Sequence, residues 1–388
     1  MGATVLILVF ALGAFPAAAP VLAADQRQRS LVLLAGGDVT LGYHLPEFQD
    51  ELTAKGMSRA EIEAYPFARI ATITRSADLF LVNLEGTLTS QGKPVEKSFN
   101  FKADPQDVAV LQSAGVDVVS LANNHAFDYS AEGLSQTRAT LLRAGIAAFG
   151  AGRDLAEARR PAILERNGVR VGFLGYLFMG DHTIEPEIIY AGPGRPGVAG
   201  THKDLPTLLR WIREDVTALR TRVDLLVVVF HGGRESRNLI EPYQRQVAET
   251  AVAAGADLLV GHHPHTLQGL EQMEGAWVAY SLGNLMFAGN WNPRRKEAAL
   301  LELTWSEGAS GGEGPGSRAQ VRILPLAVDN LPKEPFQPRF LPEDRAARVR
   351  TLMRCYLTAQ EEGACEAGLD PPFITGVGDS EHEDPRAP

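Results

Sequence analysis

A short run rich in β-branched residues, Val116-Asp117-Val118-Val119-Ser120, leads straight into Leu121-Ala122-Asn123-Asn124-His125-Ala126-Phe127-Asp128. The run has the length and composition of a buried strand. Asn124, His125 and Asp128 set an amide, an imidazole and a carboxylate just past its C-terminal end. The same ending recurs along the chain. Asp38 follows the apolar run 31–37, Glu85 follows 79–84, His231 follows 225–230, and His262, His263 and His265 follow 256–261. In open α/β sheets the carboxyl ends of the strands are where ligands bind. These tips are expected to share one sheet edge, and that edge is expected to carry the function.

Helical patterns separate the strands. Residues 43–76 read as mainly helical, with Ser58 as an N-cap before Glu61. Further helices are expected over 104–114, 130–144, 204–221 and 243–254. Strands are expected over 26–36, 77–83, 146–149, 162–165, 170–176, 223–230 and 256–261, with Asn167-Gly168 as a hairpin turn. After Gly261 strands follow one another directly, at 275–282, 297–305 and 320–328. Residues 179–201 are a Pro- and Gly-rich loop, and a loop that long inside a compact domain usually faces substrate. A Gly-rich hairpin loop is expected at 306–317, a terminal helix at 341–362 and a disordered tail at 370–388. The pattern predicts an α/β fold with a mixed sheet or two stacked sheets flanked by helices. One main domain is expected over 25–340, with 341–388 as C-terminal helix and tail.

The N-terminus reads as a secretory signal over 1–24. Val5 to Phe15 is apolar, Pro16 to Pro20 interrupts it, and Val21-Leu22-Ala23 offers small residues for cleavage. An uncleaved anchor is the competing reading, because the segment before the apolar run has no Lys or Arg. The mature chain is expected to be exported, periplasmic or extracellular. An oxidising compartment would permit a Cys355–Cys365 disulfide. The formal net charge of −10 argues against nucleic acid as a partner, since phosphate affinity rests on basic surface.

Imidazole nitrogen, carboxylate oxygen and amide oxygen drawn from separate elements are what divalent metals bind. Asp38, Glu85, Asn124, His231, His263 and His265 supply that mixture, with His125 and His262 as spare groups. The set exceeds the needs of one tetrahedral ion and suits a pair, ~3.5–4 Å apart. A lone strand-end Asp is more often a helix cap, and a lone His more often a hydrogen-bonded structural residue. The shared edge is what favours ligation. Manganese, iron and zinc all suit these donors.

Gly37-Asp38-Val39-Thr40-Leu41-Gly42, Asn83-Leu84-Glu85-Gly86 and Ser120-Leu121-Ala122-Asn123-Asn124-His125 resemble the bacterial CapA-type capsule-synthesis family. So do Gly261-His262-His263-Pro264-His265 and Tyr280-Ser281-Leu282-Gly283-Asn284. That family is associated with poly-γ-glutamate capsule biosynthesis and is similar to calcineurin-like metallophosphoesterases. The resemblance implies a four-layer α/β/β/α sandwich of metallophosphoesterase type, with metals at its edge. It implies Asp38 and His265 on one ion, Asn124, His231 and His263 on the other, and Glu85 between them. It places His125 at the general-acid position with Asp128 as its orienting partner.

Two departures stand out. Phosphoesterases usually carry His where this chain has Thr40, so one metal position is expected to be the weaker. The family commonly has His-Trp-Gly-x-Glu-Tyr where this chain has His231-Gly232-Gly233-Arg234-Glu235-Ser236, which opens the pocket wall. Arg234, Glu235 and Asn284 are expected to meet substrate. Arg237, Arg294, Arg295 and Lys296 are further candidates for an anionic ligand, although a solvated surface is the commoner fate of such charge.

The expected function is a dinuclear-metal-dependent hydrolase acting on a cell-surface polyanion or its precursor, alongside membrane-associated capsule machinery. A non-catalytic polymer-binding accessory protein and a phosphoesterase of small substrates are the alternatives. Thr40 keeps the former open; metal-edge chemistry common to both ester classes keeps the latter open.

Overall fold

A computed structural model describes residues 1–2, 29–181, 183–289, 296–308, 319–328, 335–357 and 365. Residues 3–24 of the expected signal segment, most of the Gly-rich hairpin loop, Arg294, Arg295 and the expected disordered tail lie outside the described residues.

The fold is mixed α/β with two large sheets. The first is built on β1 (Ser30–Thr40), β2 (Leu79–Leu84), β3 (Val118–Ser120) and β4 (Ala147–Phe149), each parallel to the next. The second takes β5 (Ala162–Arg166), β6 (Val169–Leu177), β7 (Leu225–His231), β8 (Leu258–His262), β9 (Leu270–Met273) and β10 (Ala276–Ala279). Its order is β9-β10-β8-β7-β6-β5. There β6, β7, β8 and β10 are parallel neighbours, and β5 and β9 pair antiparallel at the two ends. Four later strands, β11 (Asn284–Phe287), β12 (Glu297–Ser306), β13 (Ala319–Ala327) and β14 (Arg339–Phe340), complete the first sheet.

Side-chain alternation ties the sheets together. Leu31, Leu33 and Ala35 of β1 share one apolar cluster with Leu225, Val227 and Val229 of β7. Leu34 points the other way, into a cluster with Phe48, Ile62, Val110, Leu134 and Leu141 from the helices of the N-terminal half. Leu226, Val228 and Phe230 likewise turn to Leu208, Ile212, Val216 and Val247. Strands covered on both faces read as near-continuous apolar runs, as 225–230 does.

The helix Leu205–Arg220 shows how local sequence sets an element. Asp204 caps it by accepting from the Thr207 amide at 3.1 Å, Pro206 sits in the first turn, and Leu208, Ile212, Val216 and Leu219 form its buried stripe. The hairpin between β5 and β6 turns at Asn167 and Gly168, both at positive φ, 53° and 74°. The final helix, Glu343–Cys355, packs Ala346, Val349, Leu352 and Met353 into the inter-sheet cluster, and Cys355 is bonded to Cys365.

The first strand differs from expectation. It does not turn out at Gly37 but continues to Thr40, because it changes partner. Its first half pairs antiparallel with β12, and Asp38 to Thr40 pair parallel with β11. The changeover falls at Gly36-Gly37, where the register with β2 also shifts. A Cβ on Gly37 would lie 1.8 Å from the Gly283 carbonyl oxygen, so only glycine allows β11 this close.

Candidate metal centre

β1, β2 and β3 are parallel in one sheet and β7 and β8 in the other, and the contacts of Asn83 with His231 and of Asp38 with His262 bring their C-terminal ends to a common edge. Asp38 is still within β1. Glu85 is the first residue past β2. His231 and His262 are the last residues of β7 and β8. Past β8 the chain takes an unusual path: His263 has φ 96° and His265 has φ 54°. Positive φ is uncommon for side chains other than glycine and is characteristic of functional turns. Here it separates the two rings, whose centroids are 5.8 Å apart.

His265 joins the first group. Its Nδ1 is 3.2 Å from Asp38 Oδ2 and its Nε2 is 3.6 Å from Glu85 Oε1. Donor atoms of Asp38, Glu85 and His265 all lie within 4.8 Å of one another. His263 lies instead beside His231, with ring centroids 5.0 Å apart. His231 Nε2 in turn is 2.9 Å from Asn124 Oδ1. Asn83 stitches the groups together, its Nδ2 donating to Asp38 Oδ1 at 2.9 Å and lying 3.3 Å from His231 Nδ1.

His125 lies at the rim. Its Nδ1 is 2.8 Å from Asp128 Oδ2, its Nε2 is 3.9 Å from Glu85 Oε1, and its ring stacks on Phe101 at 4.2 Å. Asp128 is fully buried. It also accepts from the Phe101 amide at 2.6 Å and pairs with Lys97 at 2.7 Å.

Charge is concentrated at this edge. Burial alone would raise Asp38, but His262, 3.0 Å away, and His265 hold it well below the usual carboxylate range. Burial, with Asp38 nearby, pushes Glu85 well above that range. Burial works against a charged His265, yet Glu85 and Asp38 raise it to about 10. His231 is held well below its ordinary value by burial and by His263. Burial also lowers His125, with Asp128 opposing and Lys97 adding to the effect.

A divalent cation suits this set. Glu85 Oε1 is buried without a hydrogen-bond partner, as is His262 Nε2. A buried carboxylate oxygen is costly unless a cation or donor meets it. The donors are carboxylate, imidazole and amide, the mixture that transition metals take.

Thr40 is fully buried, and its hydroxyl donates to the Glu85 carbonyl at 2.8 Å, bracing that backbone. His262, a spare group on the sequence, lies under Asp38. Asn284, expected to meet substrate, directs its Oδ1 to His265 Nδ1 at 2.8 Å and so orients that ring.

A solvent-open cleft of about 680 Å³ leads to the edge, lined among others by His125, Asn124, His263, Arg234, Glu235 and Phe99. Arg234 lies 3.9 Å from Glu241. Sequence reasoning missed two cleft residues. Lys97 bonds the Asn124 carbonyl at 2.7 Å and lies 3.2 Å from Glu185, whose other oxygen accepts from Asn124 Nδ2 at 2.9 Å. That contact turns the Asn124 oxygen toward His231. The only signal for Glu185 was its place in the long 179–201 loop.

A mixed α/β fold that brings carboxylates, imidazoles and an amide from parallel strand ends to one edge defines a protein with a candidate metal centre. The chain belongs to the bacterial capsule synthesis protein PGA_cap family, whose pattern matches residues 32–289. It is 30% identical over 290 residues to the capsule biosynthesis protein CapA of Bacillus anthracis, covering 74% of this chain and 66% of that protein. The chain thus spans just under two thirds of that relative. It is 28% identical over 337 residues to the PGA biosynthesis protein CapA of Bacillus subtilis, covering 86% of this chain and 81% of that one. Among solved structures, a novel phosphatase from Mycoplasma pneumoniae aligns with a TM-score of 0.43 at 14% identity, over 79% of this chain and 97% of that one.

Proposed function

We propose that this chain is a metal-dependent hydrolase of capsule or poly-γ-glutamate synthesis, acting outside the cytoplasm on an anionic cell-surface polymer or its precursor. The observation that carries the reading is the meeting of Asp38, Glu85 and His265 within 4.8 Å, next to His125 and His263, which line an open cleft. The names of the Bacillus relatives suggest the polymer. The three apolar clusters support a four-layer α/β/β/α sandwich as the frame.

Asp38 and His265 would hold one ion and Asn124, His231 and His263 the other, with Glu85 between them. Bound divalent ions would supply polarisation of the scissile group and activation of water. The chain's own residues do the rest. Asp128 fixes His125 through Nδ1, which leaves Nε2 to carry a proton to the leaving group. Lys97 balances the Asp128 charge. Arg234 on the cleft wall offers a guanidinium to substrate carboxylates or phosphates. A non-catalytic polymer-binding role has one observation in its favour, the Thr40 hydroxyl committed to backbone. It leaves the buried His125–Asp128 pair without a task.

The test is turnover of poly-γ-glutamate and of model phosphodiesters by protein loaded with manganese, iron or zinc. Activity should require metal, and His125→Asn should lower it on the order of 10²–10⁴-fold while metal content and melting temperature stay put. Rates that ignore His125 on every substrate would falsify the catalytic reading.

A further inference from the structure

The segment from His231 to Ser236 is pinned to the loop that carries His263 and His265. The Gly232 amide donates to the His262 carbonyl at 3.0 Å, and the Ser236 amide donates to the Pro264 carbonyl at 2.8 Å. Gly233 lies between them at φ 119°. Its amide donates to the Tyr243 hydroxyl at 2.7 Å, and that hydroxyl donates back to the Gly233 carbonyl at 3.1 Å. A Cβ on Gly233 would come within 2.9 Å of Pro264 Cγ, so glycine is what permits the approach. The consequence appears two residues on. A carboxylate oxygen of Glu235 lies within 4.8 Å of ring nitrogens of both His263 and His265.

On the opposite side of the edge a donor is missing. Thr40 stands where a second imidazole is expected on the first strand, and its hydroxyl is occupied by the Glu85 carbonyl. We propose that Glu235 makes up for it, as a metal ligand that joins His265 on the ion beside Asp38 and Glu85, with His263 of the neighbouring ion next to it. The inference rests on the metal-binding reading above and changes the role expected of Glu235. A carboxylate in this place would repel an anionic substrate, whereas beside two imidazoles it completes an oxygen-and-nitrogen donor set. Glu235 is itself exposed and lines the cleft. The weaker metal position expected from Thr40 is then strengthened from the other sheet.

Glu235→Gln in the full chain tests this. The amide keeps the size of the side chain, and the exposed position gives the fold no reason to fail. Manganese and zinc are titrated into metal-free wild type and variant by calorimetry, with bound metal counted after desalting. The variant should lose affinity for one ion by at least the roughly 10–100-fold that removal of a merely supporting residue costs. Glu235→Asp should recover part of that loss. Affinities equal in wild type and Glu235→Gln would overturn the inference and leave the metal reading standing. A wild type that binds neither metal would overturn both.

Discussion

The space between the two sheets and the edge where their strands end are made by the same strands, yet they obey opposite rules. Leu33 on β1 and Val229 on β7 sit in a cluster of apolar side chains. A few residues further along the same strands, Asp38 and His231 are equally buried but lie among other polar and ionisable groups at the edge. The interior is stable by itself, since each methylene removed from water contributes about 0.8 kcal/mol. The edge is not. It holds imidazoles close to one another and a carboxylate oxygen without a donor, and it stays assembled because the interior keeps the strands in place. The difference is a division of labour: apolar packing fixes the geometry, and the polar tips are left suited to a cation.

The sharpest way to separate the two regions is to damage the interior alone. Leu33→Ala should cost about 2–5 kcal/mol of folding stability, the usual effect of such a cavity, measured by urea denaturation. The folded fraction should still bind metal as wild type does. A variant that lost metal while keeping its stability would break the comparison.

Acid should act on the edge and not on the interior. His231 is surrounded by His263, His262, His265 and Asp38, and burial with His263 keeps its pKa well below the ordinary 6.5. Its neutral form therefore contributes stability above pH 6.5, where folded and unfolded chains bind the same protons. As pH falls below 6.5 the unfolded chain takes up a proton that the folded chain refuses. Metal-free wild type should then lose up to about 1.4 kcal/mol per pH unit relative to His231→Asn. Urea midpoints at pH 7, 6 and 5 measure the difference, and Leu33→Ala should share the wild-type slope. Parallel profiles for wild type and His231→Asn would show that the edge does not carry this acid sensitivity.

Much of the interior was readable because burial on both faces writes itself as unbroken apolar runs, as at 225–230. The tips were readable for the same reason: Asp38, Glu85, Asn124 and His231 each interrupt such a run. Other features left no periodic trace. The last residues of β1 and the short strand Asn284–Phe287 depend on pairing with each other past a bulge. The turn that splits His263 from His265 depends on backbone angles that their side chains seldom adopt. Lys97 and Glu185 come from loops, where nothing in the spacing tells which residue folds back over the edge. Thr40 reads as a missing imidazole, but its hydrogen bond to the Glu85 carbonyl is a tertiary fact.

The most direct test of the account is anomalous diffraction from crystals grown or soaked with manganese or zinc. Two peaks should appear ~3.5–4 Å apart, one beside Asp38, Glu85 and His265, the other beside Asn124, His231 and His263. Fully occupied crystals with no anomalous peak at this edge, from protein exchanged into millimolar metal, would contradict it.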